Sequence, residues 1–276
     1  MLNALELKEL RSFRRGKVNS KSEVRQILRM RTNYERLLFS NLRMMFRQHV
    51  QATVIRFEQD GEYNPLIEGR AMYADMSPLM TSYLRRVFIN TYKFYEEMYE
   101  GGRKNESAEV IVFGRVLDIE SLVNDYFRTR ELTLSNIPMN IARRIDNLVR
   151  QGRADNLTLA QIAKNIRDKV IPLTRSRAAM IARTETHNAA SFASHGYHKQ
   201  MRQDLGVNMY KQWVATNDAR TRSAHSTAHG QRVHMDEKFQ VGGTEMDYAG
   251  DAAGGAKNVI NCRCVIIYAD ERDIVV

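Results

Sequence analysis

The sequence predicts an α+β protein, with a mainly helical, basic part over residues 1–152 followed by a smaller α+β domain over 153–276. Three observations predict it. Apolar residues from Val24 to Phe46 recur close to the helical period, small alanines repeat along 178–193, and beyond Gly206 short β-like runs alternate with glycine-rich loops.

In chain order, Ser20 and Glu23 of SKSE form a candidate capping box, so a long amphipathic helix is expected from Ser20 onward. QDGEYNP (59–65) reads as a loop, and a second long helix is expected to begin near Pro78. GGRKNES is an exposed break, and another helix is expected from about Asp118. After Gly152, Thr158 and Gln161 have capping-box spacing, with Leu157 and Ile162 placed as a hydrophobic staple. Pro172 is expected to stop that helix and Thr174 to start the next, whose alanines at 178, 179, 182, 189, 190 and 193 let another backbone approach closely. MYKQWVA, QRVHM and CVIIYA read as strands, and VGGTEMDYAGDAAGGA reads as a glycine-rich loop.

At 276 residues and 43% hydrophobic content, the chain can bury a core of one large domain or two ordinary ones. It has no apolar run of membrane-span length, and MLNALELKEL lacks the apolar core of a signal peptide, so no membrane is expected and synthesis in a cytoplasm is. Lys and Arg number 42 against 32 Asp and Glu, a net charge of +10, and the excess is concentrated at the front. Arg11, Arg14, Arg15 and Lys17 within LRSFRRGK are candidates for meeting nucleic-acid phosphates; the alternative is a solvated helical face.

Both cysteines, Cys262 and Cys264, stand one residue apart in NVINCRC. So short a loop strains a mutual disulfide, which leaves two small buried hydrophobes or a pair of metal ligands. Six of the seven histidines lie between 187 and 234. In NDARTRSAHSTAHG, Asp218 can cap a helix that Gly230 ends, and His225 and His229 then share a face at i, i+4. With Cys262 and Cys264 they make a candidate Cys2His2 zinc site tying that helix to the last strand; the alternative is surface histidines and core cysteines. Glu185 falls on the alanine face with 182 and 189, where burial calls for a hydrogen-bonding or cationic partner such as Arg220 or Arg222. A catalytic set of Arg183, Glu185 and the histidines is disfavoured, because the first two point roughly 200° apart on a helix and no nucleophile motif accompanies them.

ARTETHNAA (182–190), KQWVATNDARTRSAH (211–225), HGQ (229–231), Phe239, Gly250-Asp251 and INCRC (260–264) occur in an order that resembles the C-terminal domain of the phage Mu F-like minor head proteins, the head-morphogenesis family of tailed phages. The resemblance spans roughly 155–270. In the family a proline often precedes the glycine and aspartate, whereas Ala249 stands here. Arg183, Glu185, Trp213, Asp218 and Arg222 fall in these motifs as structural positions. The resemblance implies a virion component near the portal, present in few copies and acting in head assembly or on the fate of the packaged genome. Its implied partners are the portal protein, a major capsid or scaffolding protein, and DNA. No established enzyme activity is implied. Some members carry a fused toxin domain, and the ending at Val276 argues against one here. A nucleic-acid-processing enzyme of nuclease type is the alternative.

Overall fold

A computed structural model describes residues 20–100, 111–112, 115–116 and 118–270. It is α+β, as expected. Four long helices come first: α1 (Ser20–Asp60), α2 (Pro65–Glu100), α3 (Ile119–Ala154) and α4 (Leu159–Leu205), with a two-stranded ribbon of β1 (Ile111–Val112) and β2 (Arg115–Val116) between α2 and α3. The remainder is β3 (Met209–Val214), α5 (Ser223–Ala228), β4 (Arg232–His234), β5 (Phe239–Val241), β6 (Thr244–Met246), a 3-10 turn at Ala252–Gly254, α6 (Gly255–Val259) and β7 (Val265–Asp270). No described helix is long and apolar enough to cross a membrane.

The helix starts follow local chemistry. Asn64 Oδ1 accepts from the amides of Leu66 and Ile67 at 3.0 and 3.3 Å, so α2 begins at Pro65, where a missing N–H costs nothing. The start expected near Pro78 is therefore corrected: Pro78 lies inside α2. Asp118 Oδ1 caps α3 through Ser121 N at 2.9 Å. The Thr158–Gln161 box is present in full, Thr158 N donating to Gln161 Oε1 at 2.8 Å and Gln161 N to Thr158 Oγ1 at 3.3 Å. Pro172 does not stop that helix; α4 runs through it, because buried residues on both sides outweigh one lost backbone bond. Glu23 does not reach back to cap α1. Its carboxylate is buried without a hydrogen-bond partner among the described residues, and burial raises its pKa to about 8.

The chain divides into two compact units, which do not follow the sequence division at residue 152. One consists of Tyr34–Tyr83 and Phe127–Arg183. Its core takes Leu38, Leu42, Phe46 and Val50 at i+4 steps along α1, Met72, Met76 and Met80 from α2, Ile141 and Ile145 from α3, and Ile162, Ile166 and Val170 from α4. Ion pairs Arg167–Glu58 (2.6 Å) and Arg183–Glu35 (3.1 Å) cross its surface.

The other unit takes the described parts of 1–33, 84–126 and 184–276. Its three-stranded antiparallel sheet has the order β4-β3-β7, with Trp213 opposite Ile266 and Lys211 opposite Tyr268. All three strands expected from the sequence thus join one sheet. The stretch expected as a glycine-rich loop contains a hairpin instead, β5 pairing with β6 across Gly242 and Gly243, whose φ values of 58° and 76° suit a two-residue turn. The alanine face of α4 is buried from Ala189 to Ala193, and Tyr92, Tyr95, Tyr197 and His198 pack ring against ring beside it.

Candidate metal centre

NVINCRC leads from the end of α6 through a turn to the start of β7. Asn258 is buried and its Nδ2 donates to Val241 O (3.1 Å) and Thr244 Oγ1 (2.9 Å), holding the β5–β6 hairpin against α6. Asn261 takes a left-handed φ of 57°, and its amide donates to Thr184 Oγ1 at 3.1 Å. That reversal delivers Cys262, Arg263 and Cys264 in alternation, the two cysteines buried and Arg263 turned outward.

His225 on α5 meets the cysteines. Its Nδ1 lies 3.3 Å from Cys264 Sγ and 3.7 Å from Cys262 Sγ, and the three donor atoms all lie within 4.8 Å of one another. Bond lengths of ~2.3 Å to sulfur and ~2.0–2.1 Å to nitrogen put two donors on a tetrahedral ion ~3.5 Å apart, so this group could hold one metal ion. Its members are 1–2% exposed. Trp213, fully buried, stands edge-on to the His225 ring at 5.7 Å and to Phe239 at 5.4 Å.

The two thiols differ. A hydrogen bond from the Cys264 thiol, helped by the Cys264 amide and the charges of Arg31 and Arg222, lowers the pKa of Cys262 against the opposing effect of burial. The same hydrogen bond and burial raise that of Cys264. Cys262 is therefore the first of the pair to become thiolate.

His229 does not join them. The expected helix from Asp218 to Gly230 is shorter, Ser223–Ala228, and at its C-cap His229 leaves helical geometry (φ −57°, ψ 130°). The i, i+4 relation to His225 is lost as a shared face; His229 is exposed, and its Nδ1 accepts from Ala215 N at 3.2 Å. Asp218 is not a helix cap either. Its Oδ1 accepts from Arg220 N (3.0 Å) and Thr221 Oγ1 (3.2 Å) in a local turn, and its carboxylate pairs with Arg263, which holds its pKa well below the usual carboxylate range. Arg222 donates to Ile260 O at 2.5 Å. Glu185 is buried, as its place on the alanine face implies, and accepts from Tyr126 OH at 3.1 Å. Arg183 lies in the other unit, paired with Glu35. Arg11, Arg14, Arg15 and Lys17 lie outside the described residues.

Sequence reasoning missed three residues. Arg31 of α1 is buried, and its guanidinium donates to His187 Nδ1 (2.9 Å), Ser191 Oγ (2.9 Å) and Cys264 O (3.3 Å). Since arginine has no acceptor, His187 Nδ1 is the acceptor, and burial followed by the Arg31 charge lowers the His187 pKa well below its usual value. Lys211 is fully buried on the inward row of β3 and donates to Asp247 O at 2.9 Å. Nothing marks Arg31 among the many arginines of α1. For Lys211 the signal existed: it breaks the apolar alternation of Met209 and Trp213.

Residues 143–267 match the family model described as Phage Mu protein F like protein. That region is similar to the family whose resemblance the motifs carry. The chain is 29% identical over 217 residues to the protein named Minor head protein GP7 of Bacillus phage SPP1, covering 74% of this chain and 65% of that one. It is 30% identical over 127 residues to the protein named NAD(+)–arginine ADP-ribosyltransferase EFV of Enterococcus faecalis, covering 46% of this chain and 26% of that one. The chain thus spans less than two thirds of the length of either relative. No solved structure matches it.

Proposed function

We propose that the chain is a minor capsid protein of a tailed phage, a structural component that acts in head morphogenesis and associates with the portal and the packaged genome. Its place is the virion head near the portal, after assembly in the host cytoplasm. One observation carries the structural reading: Asp218, Arg222, His225 and Asn258 of the Mu F-like region are each engaged by other residues of that region. Asp218 holds Arg263, Arg222 holds Ile260 O, Asn258 holds the hairpin, and His225 meets both cysteines. In this reading His225, Cys262 and Cys264 bind zinc, which clamps α5 to the turn before β7.

The test is assembly. Co-expressed with the portal protein of its phage, the tagged chain should co-purify with it, and heads formed without the chain should be defective in assembly or in delivering DNA. Normal heads without it would reject the proposal.

A metal-dependent nuclease is the second reading, favoured by one feature: three protein ligands leave a fourth coordination position, as catalytic zinc sites do. The near-complete burial of the ligands weighs against it. DNA and RNA incubated with the zinc-loaded protein should stay intact; cleavage lost in His225→Ala would establish the enzyme.

A further inference from the structure

The unit formed by Tyr34–Tyr83 and Phe127–Arg183 contains a cleft of about 380 Å³ lined by Arg43 and Arg47 of α1 and by Pro172, Arg175 and Ser176 of α4. A second depression of about 240 Å³ along α1 shares Arg43 and Arg47 and adds Ser40. Four other arginines of this unit have carboxylate partners: Arg56 with Glu68, Arg150 with Asp146, Arg167 with Glu58 and Arg183 with Glu35. Arg43, Arg47 and Arg175 have no hydrogen bond or ion pair with any described residue, and all three are exposed.

The sequence around them is arranged the same way. Residues 36–57 contain four arginines and no acid, and residues 169–184 carry Lys169, Arg175, Arg177 and Arg183 and again no acid. Along α1, Arg36, Ser40, Arg43 and Arg47 recur at i, i+4, i+7 and i+11, which is one face of a helix. Like charges gathered in a cleft without counter-charge are held against their own repulsion, and an anion relieves it.

We propose that this cleft and the adjoining row bind the phosphates of a nucleic-acid backbone, without regard to sequence. The groups presented are guanidinium forks and serine hydroxyls, which are phosphate-binding types. They form a row with intervals of ~6 and ~10 Å along the helix axis, from its rise per residue, so the ligand carries repeated charges in line rather than one anionic group. The site gives the genome association of the proposed function residues other than those of the N-terminal basic run, and it rests on that part of the reading.

The experiment is fluorescence anisotropy of a labelled random-sequence duplex, with the full chain over a series of salt concentrations. Arg43→Ala/Arg47→Ala/Arg175→Ala should bind more weakly at low salt, and the slope of log affinity against log salt should become shallower by ~2–3, near one for each phosphate that no longer meets an arginine. Its melting temperature should match that of the native chain, since these side chains hold no other described residue by hydrogen bond or ion pair. Arg167→Ala, which removes an arginine engaged with Glu58, should change the slope by less than one. A triple variant with the native slope overturns the cleft; if the slope then falls only in a chain with Arg11, Arg14, Arg15 and Lys17 replaced by alanine, DNA binding stands and belongs to the front. A native chain that binds no duplex at low salt overturns the genome association and the cleft with it. Polyglutamate bound as tightly as DNA, and released by the same triple substitution, would make the cleft a site for an acidic protein segment and also overturn the proposal.

Discussion

Arg263 and Asp218 face each other across 45 positions of sequence in a two-armed ion pair, Nη2 donating to Oδ1 at 2.6 Å while Nη1 engages Oδ2. Arg263 is the residue between the two cysteines. Its outward turn is the counterpart of their inward one, so the pair fixes from outside the turn that carries the metal-ligand candidates.

Breaking that pair should loosen the cysteines without removing them. Asp218→Asn and Arg263→Ala should each lower the melting temperature, and the double variant should lie no lower than the worse single one. Strict additivity of the two losses in a double-mutant cycle would show that the residues do not act as a unit. The effect should shrink in high salt, because both groups are partly exposed.

Zinc should be found at about one per purified chain by elemental analysis, and a chelator should lower the melting temperature and speed the reaction of the thiols with a thiol reagent. Cys262→Ser, Cys264→Ser and His225→Ala should each lose the metal. His229→Ala should keep it, since that ring faces Ala215 N. Zinc absent from the native chain, or lost in His229→Ala, contradicts this assignment.

Gly250 has a φ of 93°, and a Cβ there would stand 2.4 Å from Asn188 Oδ1. Gly250→Ala should cost ~1–3 kcal/mol for the backbone conformation alone, and more for the collision. Gly255, with a φ of 64° but open space around it, supplies the control: its alanine variant carries the backbone cost only. Equal denaturation midpoints for the two variants would remove the collision from the account.

Glu23 is buried, with a pKa raised to about 8. The folded chain therefore keeps a proton that the unfolded chain gives up above the ordinary glutamate value of 4.5, so this group's contribution to stability is lost as pH rises from there to about 8. Glu23→Gln cannot ionise. Its stability relative to the native chain should rise across that interval, by at most ~1.4 kcal/mol per pH unit, and level off on either side. A difference independent of pH would place the carboxyl in water.

Much of the fold is legible in the sequence because its causes are local. The capping box at Thr158, the apolar steps of α1 and the three strand runs act through neighbours within a few residues, and each is found where its pattern lies. The helix boundaries at Pro78 and Pro172 are not, because whether a proline ends a helix depends on how much buried surface holds the chain on both sides.

The site divides the same way. By itself the sequence determined the Mu F-like motif order, the choice of Cys262, Cys264 and His225 as candidate ligands, and the burial of Glu185, since spacing and residue type carry these. Only the tertiary structure decided that His229 stays outside and that Arg31, 233 positions from Cys264, donates to its carbonyl. A helix that ends one residue early turns a histidine away, and a guanidinium from a distant helix arrives only when the chain is packed; neither event has a local cause for a sequence pattern to record.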